Sequence, residues 1–316
     1  MRYQNITKRK QRATRSLWGL AILLLGLALS GWFSPVAAKV TLCGEALSPN
    51  PDGIYRLRKH LTCSTEPILY IDEADAEFDL RGFTATGDNS NTGILIEADN
   101  VMIVGGTFRK CETALEINRH NDCEIKNFKA FDSSDKAIKI RGNGNTIVKS
   151  FCQNAGNDCF ELRGGDVEEN SAEWCTAIKS GTQQEGQGFS LRGPAYVYKC
   201  SAIGSSAEGF QIQEGVSDVT IEQCHAVNNA LSGIAIKASG GDFATDNTIE
   251  RCFVINNDQG GIVIDDGATD NSIKRNIVFT NGDGVTYFDL SDGNEDCDLN
   301  DWNMNKFKTS NQSCIH

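Results

Sequence analysis

Gly209-Phe210-Gln211-Ile212, Gly233-Ile234-Ala235-Ile236 and Gly261-Ile262-Val263-Ile264 open three successive lines of one pattern. They run on to Val219-Thr220-Ile221-Glu222-Gln223-Cys224, to Asn247-Thr248-Ile249-Glu250-Arg251-Cys252 and to Asn271-Ser272-Ile273-Lys274-Arg275-Asn276. Each line is a short alternating apolar segment, a polar turn, a second such segment, and a return rich in Asn, Gly and Asp. The openings lie 24 and 28 residues apart. Self-similarity at that period, with strand patterning, indicates a solenoid. Two or three short strands per repeat indicate a coil of parallel β-helix.

The same opening appears at Gly93-Ile94, Ala114-Leu115, Ala137-Ile138, Cys159-Phe160 and Gly188-Phe189, and forwards at Gly284-Val285. Pro67–Gly87 reads as one more coil at the start. The expected fold is therefore all-β, a right-handed parallel β-helix of about nine to ten coils with capped ends. At roughly 4.8 Å per coil it is on the order of 40–45 Å long. The period of two points Ile94/Ile96, Leu115/Ile117, Ile138/Ile140, Phe160/Leu162, Phe189/Leu191, Phe210/Ile212, Ile234/Ile236 and Ile262/Ile264 inward as stacks. Each contributes roughly 1.5–3 kcal/mol on burial.

The chain has 316 residues, net charge −12, 12 Cys, 4 His, 5 Pro and 31 Gly, which suits a turn-rich repeat and not a disordered chain. Residues 1–38 differ from the rest. Arg2, Lys8, Arg9, Lys10, Arg12 and Arg15 precede the apolar run 17–33, and Pro35-Val36-Ala37-Ala38 follows. This reads as a signal peptide cleaved after Ala38; the alternative is an uncleaved anchor, for which the run is short. Removing six positive and no negative charges takes −12 to −18. Nucleic acid and anionic membranes are therefore not expected as partners. The remainder is expected in the periplasm or outside the cell, as a monomer with no transmembrane span.

Residues 39–66 read as an N-terminal cap, 67–288 as the β-helix and 289–316 as a C-terminal cap. Cys43 and Cys63, flanking Pro49 and Pro51, are expected to form a disulfide, as are Cys297 and Cys314. Ile54, Leu57 and Leu61 fit either one helix face or irregular strands. Trp302 and Phe307 are the expected plug of the last coil. The exported sequence resembles a bacterial family of right-handed parallel β-helix repeat proteins. The matching residues are Cys43-Gly44, Leu61-Thr62-Cys63, Phe78-Asp79-Leu80, the Gly-Ile-x-Ile and Asn-x-x-Ile repeats, and the ending Asp289-Leu290 … Cys297-Asp298 … Trp302 … Cys314. The family often reads Asn-Gly-His where this chain has Arg81-Gly82-Phe83. The resemblance implies fold and export more than chemistry.

Cys175, Cys200, Cys224 and Cys252 fall at one coil position, spaced 25, 24 and 28, with Ser150 before and Asn276 after. They read as an asparagine-type corner ladder with thiols substituted, buried as small apolar groups. Disulfides between coils are the alternative, and metal binding fits a straight file least. Cys111, Cys123, Cys152 and Cys159 lie off this column without an assigned pairing.

Two outward columns carry the candidate chemistry. One reads Leu95, Glu116, Lys139, Glu161, Ser190, Gln211, Ala235, Val263. Its neighbour reads Glu97, Asn118, Arg141, Arg163, Arg192, Gln213, Lys237, Asp265. Three guanidinium forks in successive coils suit repeated carboxylates or sulfates along a sugar chain. Glu116, Arg141, Glu161, Arg192 and Lys237 are the expected substrate-binding residues. The plain alternative is a solvated face of Glu–Arg pairs, each contributing roughly 0–1 kcal/mol. Gly156-Asn157-Asp158-Cys159-Phe160 is similar to the Gly-Asp-Asp-Cys-Ile segment of polygalacturonases. Asp135 stands where that family has another catalytic Asp, but Asn157 and Gln187 replace its acid and its His, and its Arg-Ile-Lys is absent. Inverting hydrolysis needs both carboxyls. A uronate lyase or epimerase would need a base and a cation on the sugar carboxylate. Asp135, Asp158, Lys139 and Arg163 are the catalytic candidates, with Asp135, Asp158 and Glu161 as ligands to a calcium. No Asp-Pro-His-Glu motif of alginate epimerases is present, and none of His60, His120, His225 and His316 has a catalytic setting. The expected function is binding of polysaccharide or another cell-surface component along this face, with a polysaccharide lyase or epimerase, then a hydrolase, as the alternatives.

Overall fold

The computed structural model describes residues 39–165 and 168–316. The signal-peptide assignment lies outside them, and no helix among the described residues is long and apolar enough to cross a membrane. The chain winds as a parallel β-helix with three faces. The first carries ten parallel strands in register, from Leu69–Asp72 to Leu290–Asp292. The other two faces alternate along each coil, for example Asn170–Glu173 and Thr176–Ile178. The strands Glu77–Thr86 and Met102–Arg109 turn this corner unbroken. Gly82, Gly105 and Gly106 make that possible, with φ of 80°, 81° and 98°, which a Cβ would disfavour.

The core follows the alternation. All the inward pairs of the first face, from Ile94/Ile96 to Ile262/Ile264, are buried. Phe160, Phe189 and Phe210 stack with ring centroids 4.6 and 4.8 Å apart. At the corners the chain must satisfy backbone groups that strands leave over. Three ladders of buried side chains do so. Cys175 and Cys200 receive the thiol column as expected: the Cys175 N–H donates to Cys200 Sγ at 3.3 Å and the Cys200 N–H to Cys224 Sγ at 3.3 Å. Cys252 N–H then donates to Asn276 Oδ1 at 2.8 Å. These thiols are unbonded to one another. A second ladder runs through Asn229, Asn257 and Asn281, and a third through Asn247, Asn271 and Asn300.

The ends depart from expectation in three ways. Within the leading segment, Ile54–Arg56 and His60–Thr62 are strands that already pair with Glu77–Thr86. Ile54 and Leu61 are thus strand residues. Lys39–Leu42 pairs antiparallel with Leu69–Asp72 and covers the open edge. Gly284-Val285 does not open a coil. Asp283 Oδ1 accepts the N–H groups of Val285, Thr286 and Tyr287 at 2.9, 2.7 and 2.9 Å, a tight turn that delays the next strand to Leu290. Residues 290–292 and 301–303 then continue the helix, and so belong to it as well as to its end. Trp302 is buried, its indole N–H donating to Asp292 Oδ2 at 2.8 Å, and Phe307 packs beside the core.

Disulfides join Cys43 to Cys63 and Cys297 to Cys314, and a third joins Cys152 to Cys159. The third pairing had no sequence signal, because its two residues sit on different faces of one coil. Cys111 and Cys123 remain free and buried, and burial pushes their thiols up to about 12 and about 11.

Candidate functional site

The two outward columns of the first face are in register as expected. Glu116, Lys139, Glu161, Ser190 and Gln211 lie opposite one another in successive coils, and Arg141 lies opposite Arg163. Reading one position further back adds a third column, Lys136, Asp158, Gln187 and Glu208, two residues before each first inward side chain. Lys136 and Glu208 were missed because a residue at the corner has no strand alternation to mark it.

The charges interlock between coils. Lys139 Nζ is 3.0 Å from Glu116 Oε1, and Arg141 Nη1 is 3.8 Å from the same oxygen. Glu161 is buried between Lys136 and Arg192, whose Nζ and Nε stand 3.6 and 3.4 Å from its Oε2. Lys237 Nζ is 3.1 Å from Glu208 Oε1 and 4.0 Å from Asp265 Oδ2. Burial works against the Lys237 ammonium, but Glu208 and Asp265 outweigh it and raise its pKa. Arg192 Nε also donates to Ser190 Oγ at 3.2 Å. Arg163 is exposed and has no ion pair among the described residues, and Arg141 Nε is buried without an acceptor.

Several expectations are corrected here. The carboxylate of Glu161 pairs with Arg192, one coil on. Glu161 and Glu116 therefore position cations rather than offer themselves to a ligand. Asp158 is 1% exposed, and its Oδ1 accepts the Gln187 N–H at 2.9 Å. A carboxyl so covered is not placed to touch a substrate. Burial pushes it up to about 6, while the Gln187 N–H and Lys136 pull it down. Asp135 accepts from Asn157 Nδ2 at 3.2 Å and lies 3.6 Å from Lys136 Nζ. Asp135, Asp158 and Glu161 do not form a calcium site: the Lys136 ammonium already stands between Asp135 and Glu161. Among the described residues no group of three or more His, Cys, Asp or Glu side chains is arranged to hold a metal ion.

What the arrangement can do is bind anions. Lys139 with Arg141, Arg163 and Arg192 present cationic groups in three successive coils of an acidic chain, and Lys237 adds another two coils further on. Their carboxylate partners hold several of them in place, which lowers the entropy lost when a ligand arrives.

The chain belongs to the right-handed beta helix region family, whose model matches residues 92–243 and 167–305. Comparison with curated proteins gives no significant match. Among solved structures, the mannuronan C-5 epimerase AlgE4 A-module of Azotobacter vinelandii is similar at 14% identity, over 81% of this chain and 91% of that one, with a TM-score of 0.48. The catalytic unit of a GH87 alpha-1,3-glucanase from Streptomyces thermodiastaticus is 10% identical over 85% and 71%, TM-score 0.48. A mutant of the periplasmic alginate epimerase AlgG is 10% identical over 85% and 76%, TM-score 0.40.

Proposed function

We propose that this is an exported β-helix protein that binds an anionic polysaccharide, of uronate or sulfated type, along its first face. The observation that supports this most is the register of Arg141, Arg163 and Arg192 in successive coils of an acidic chain, with Arg163 exposed. Guanidinium forks repeating at the coil rise match carboxylates repeating along a sugar chain. Export is supported by the basic, apolar and small-residue order of residues 1–38 and by three disulfides in 39–316. Binding is preferred to catalysis because Asp158 is covered and Lys139 is held by Glu116.

The test is affinity electrophoresis of the chain from residue 39 in gels containing alginate, polygalacturonate or a sulfated galactan, with and without chelator. An ultraviolet assay for the unsaturated sugar of β-elimination runs beside it. Retardation by at least one of these glycans is expected, weakened about tenfold or more in Arg163→Ala and unchanged by chelator. Absorbance that grows with time would convert the reading to a lyase, and no retardation by any would refute it.

A further inference from the structure

The third face carries its bulk on the outside. Seven successive strands, from Lys129–Phe131 to Ile277–Phe279, pair there in register. The outward column at their ends reads Phe131, Gln153, Ile178, Ile203, Val227, Ile255 and Phe279, and none of these is buried. The neighbouring outward column adds Phe151, Phe253 and Ile277, the last two 37% and 39% exposed. The inward residues between the columns are smaller: Ala177, Ala202 and Ala226 are buried beside Ile178, Ile203 and Val227. Stacking of coils does not by itself require this. On the second face, an outward column in the same kind of register reads Thr146, Ser171, Tyr196, Thr220, Thr248 and Ser272. A continuous exposed apolar stripe marks an interaction surface.

Charge narrows the choice of occupant. The chain has 42 Asp and Glu and a net charge of −12. Outward strand positions of the first face include Glu97, Glu116 and Glu161, and those of the second include Glu173, Glu222 and Glu250. Among the described residues, the outward positions of the third-face strands hold no Asp or Glu at all. Two such acidic chains repel one another wherever carboxylate meets carboxylate, and this is the face on which that repulsion is absent.

We propose that the third face is a self-association surface, and that its occupant is the third face of a second copy in a two-fold dimer. Its size is sufficient. Seven coils at about 4.8 Å, with strands and flanking corners about 20 Å wide, give on the order of 700 Å², against the roughly 800 Å² per partner of a stable interface. Its regularity suits a copy of itself. Side chains repeat at the coil spacing, so ridges of one copy meet grooves of the same period on the other along the whole stripe. Phe253 and Ile277, the most exposed, lose the most surface. Sequence alone gave a monomer as the expectation; the third face supplies the reason for a dimer. The inference uses neither the first face nor its proposed ligand.

The test is sedimentation equilibrium of the chain from residue 39, which carries the whole described β-helix, across a concentration series. A dimer with a dissociation constant of about 10 μM or tighter is expected. Ser201→Glu places a carboxylate at an outward, half-buried position in the middle of the stripe, and is expected to weaken the dimer at least about tenfold with an unchanged circular dichroism spectrum. Phe253→Ser, at an exposed ring, is the second variant and is expected to weaken it too. Thr248→Glu, the matching change on the second face, is expected to leave the dimer intact. A chain that stays monomeric at all concentrations overturns the proposal. So does a dimer unaffected by Ser201→Glu and Phe253→Ser, or one weakened equally by Thr248→Glu. Flotation of a monomeric chain with phosphatidylglycerol vesicles, abolished by Phe253→Ser, would assign the face to lipid and overturn it as well.

Discussion

Asp158 shows how one residue can be selected by sequence for the wrong reason. The Gly-Asn-Asp-Cys segment drew attention as catalytic chemistry, yet the side chain is covered and serves the Gln187 N–H. Its proton matters to stability instead. Burial holds the folded carboxyl near 6, against about 3.9 in the unfolded chain. Between these values the folded state keeps a proton that the unfolded state has lost, so stability rises as pH falls through 6 towards 4. Above pH 6 the penalty is fully present, about 2–3 kcal/mol for such a shift. Asp158→Asn should therefore stabilise the protein by roughly that amount at pH 7, with the two unfolding curves converging near pH 4. Denaturant titrations at four pH values check this; parallel curves would show that Asp158 is not the titrating group.

At the scale of the element, the corners are unequal. Asn257 accepts from the Asn229 N–H and side-chain amide, and donates to Ala226 O and Asn281 Oδ1. Asn257→Ala leaves those groups orphaned and should cost roughly 2–4 kcal/mol. Ser180 occupies the equivalent corner nearer the start of the chain, but its buried hydroxyl has no partner. Ser180→Ala is expected to change stability by less than about 0.5 kcal/mol, or to raise it slightly. Thermal unfolding of both variants gives the comparison. The ladders were only partly legible. The thiol file announced itself because cysteine is rare and its spacing matched the repeat. The Asn229–Asn257–Asn281 file did not, because Asn also fills turns, and here the two uses share the same stretches. The Cys152–Cys159 bond was illegible for a related reason: seven residues apart along the chain, its partners meet only once the corner between faces is formed.

At the scale of the whole β-helix, the architecture could be read from period and strand patterning together, since short alternating apolar segments recur at every coil with almost no helical pattern between them. The columns of the first face followed from the same register. Which cation meets which carboxylate did not follow, because side chains as long as Arg192 and Lys136 reach between coils. The uneven corners then have a mechanical meaning. In the ladder of that corner Asn stands from residue 229 onward, whereas Ser133, Ser180 and Ser205 leave unpartnered hydroxyls in the earlier coils. Each coil touches only its neighbours, so resistance is additive along the axis. Pulled by its two ends in an optical trap, the β-helix should peel from its amino-terminal side, with low-force steps preceding higher ones. A single rip at one force, or peeling from the other side, would mean that the corners do not set the order. A solenoid of repeated coils is in this sense a tether with a yielding end and a holding end.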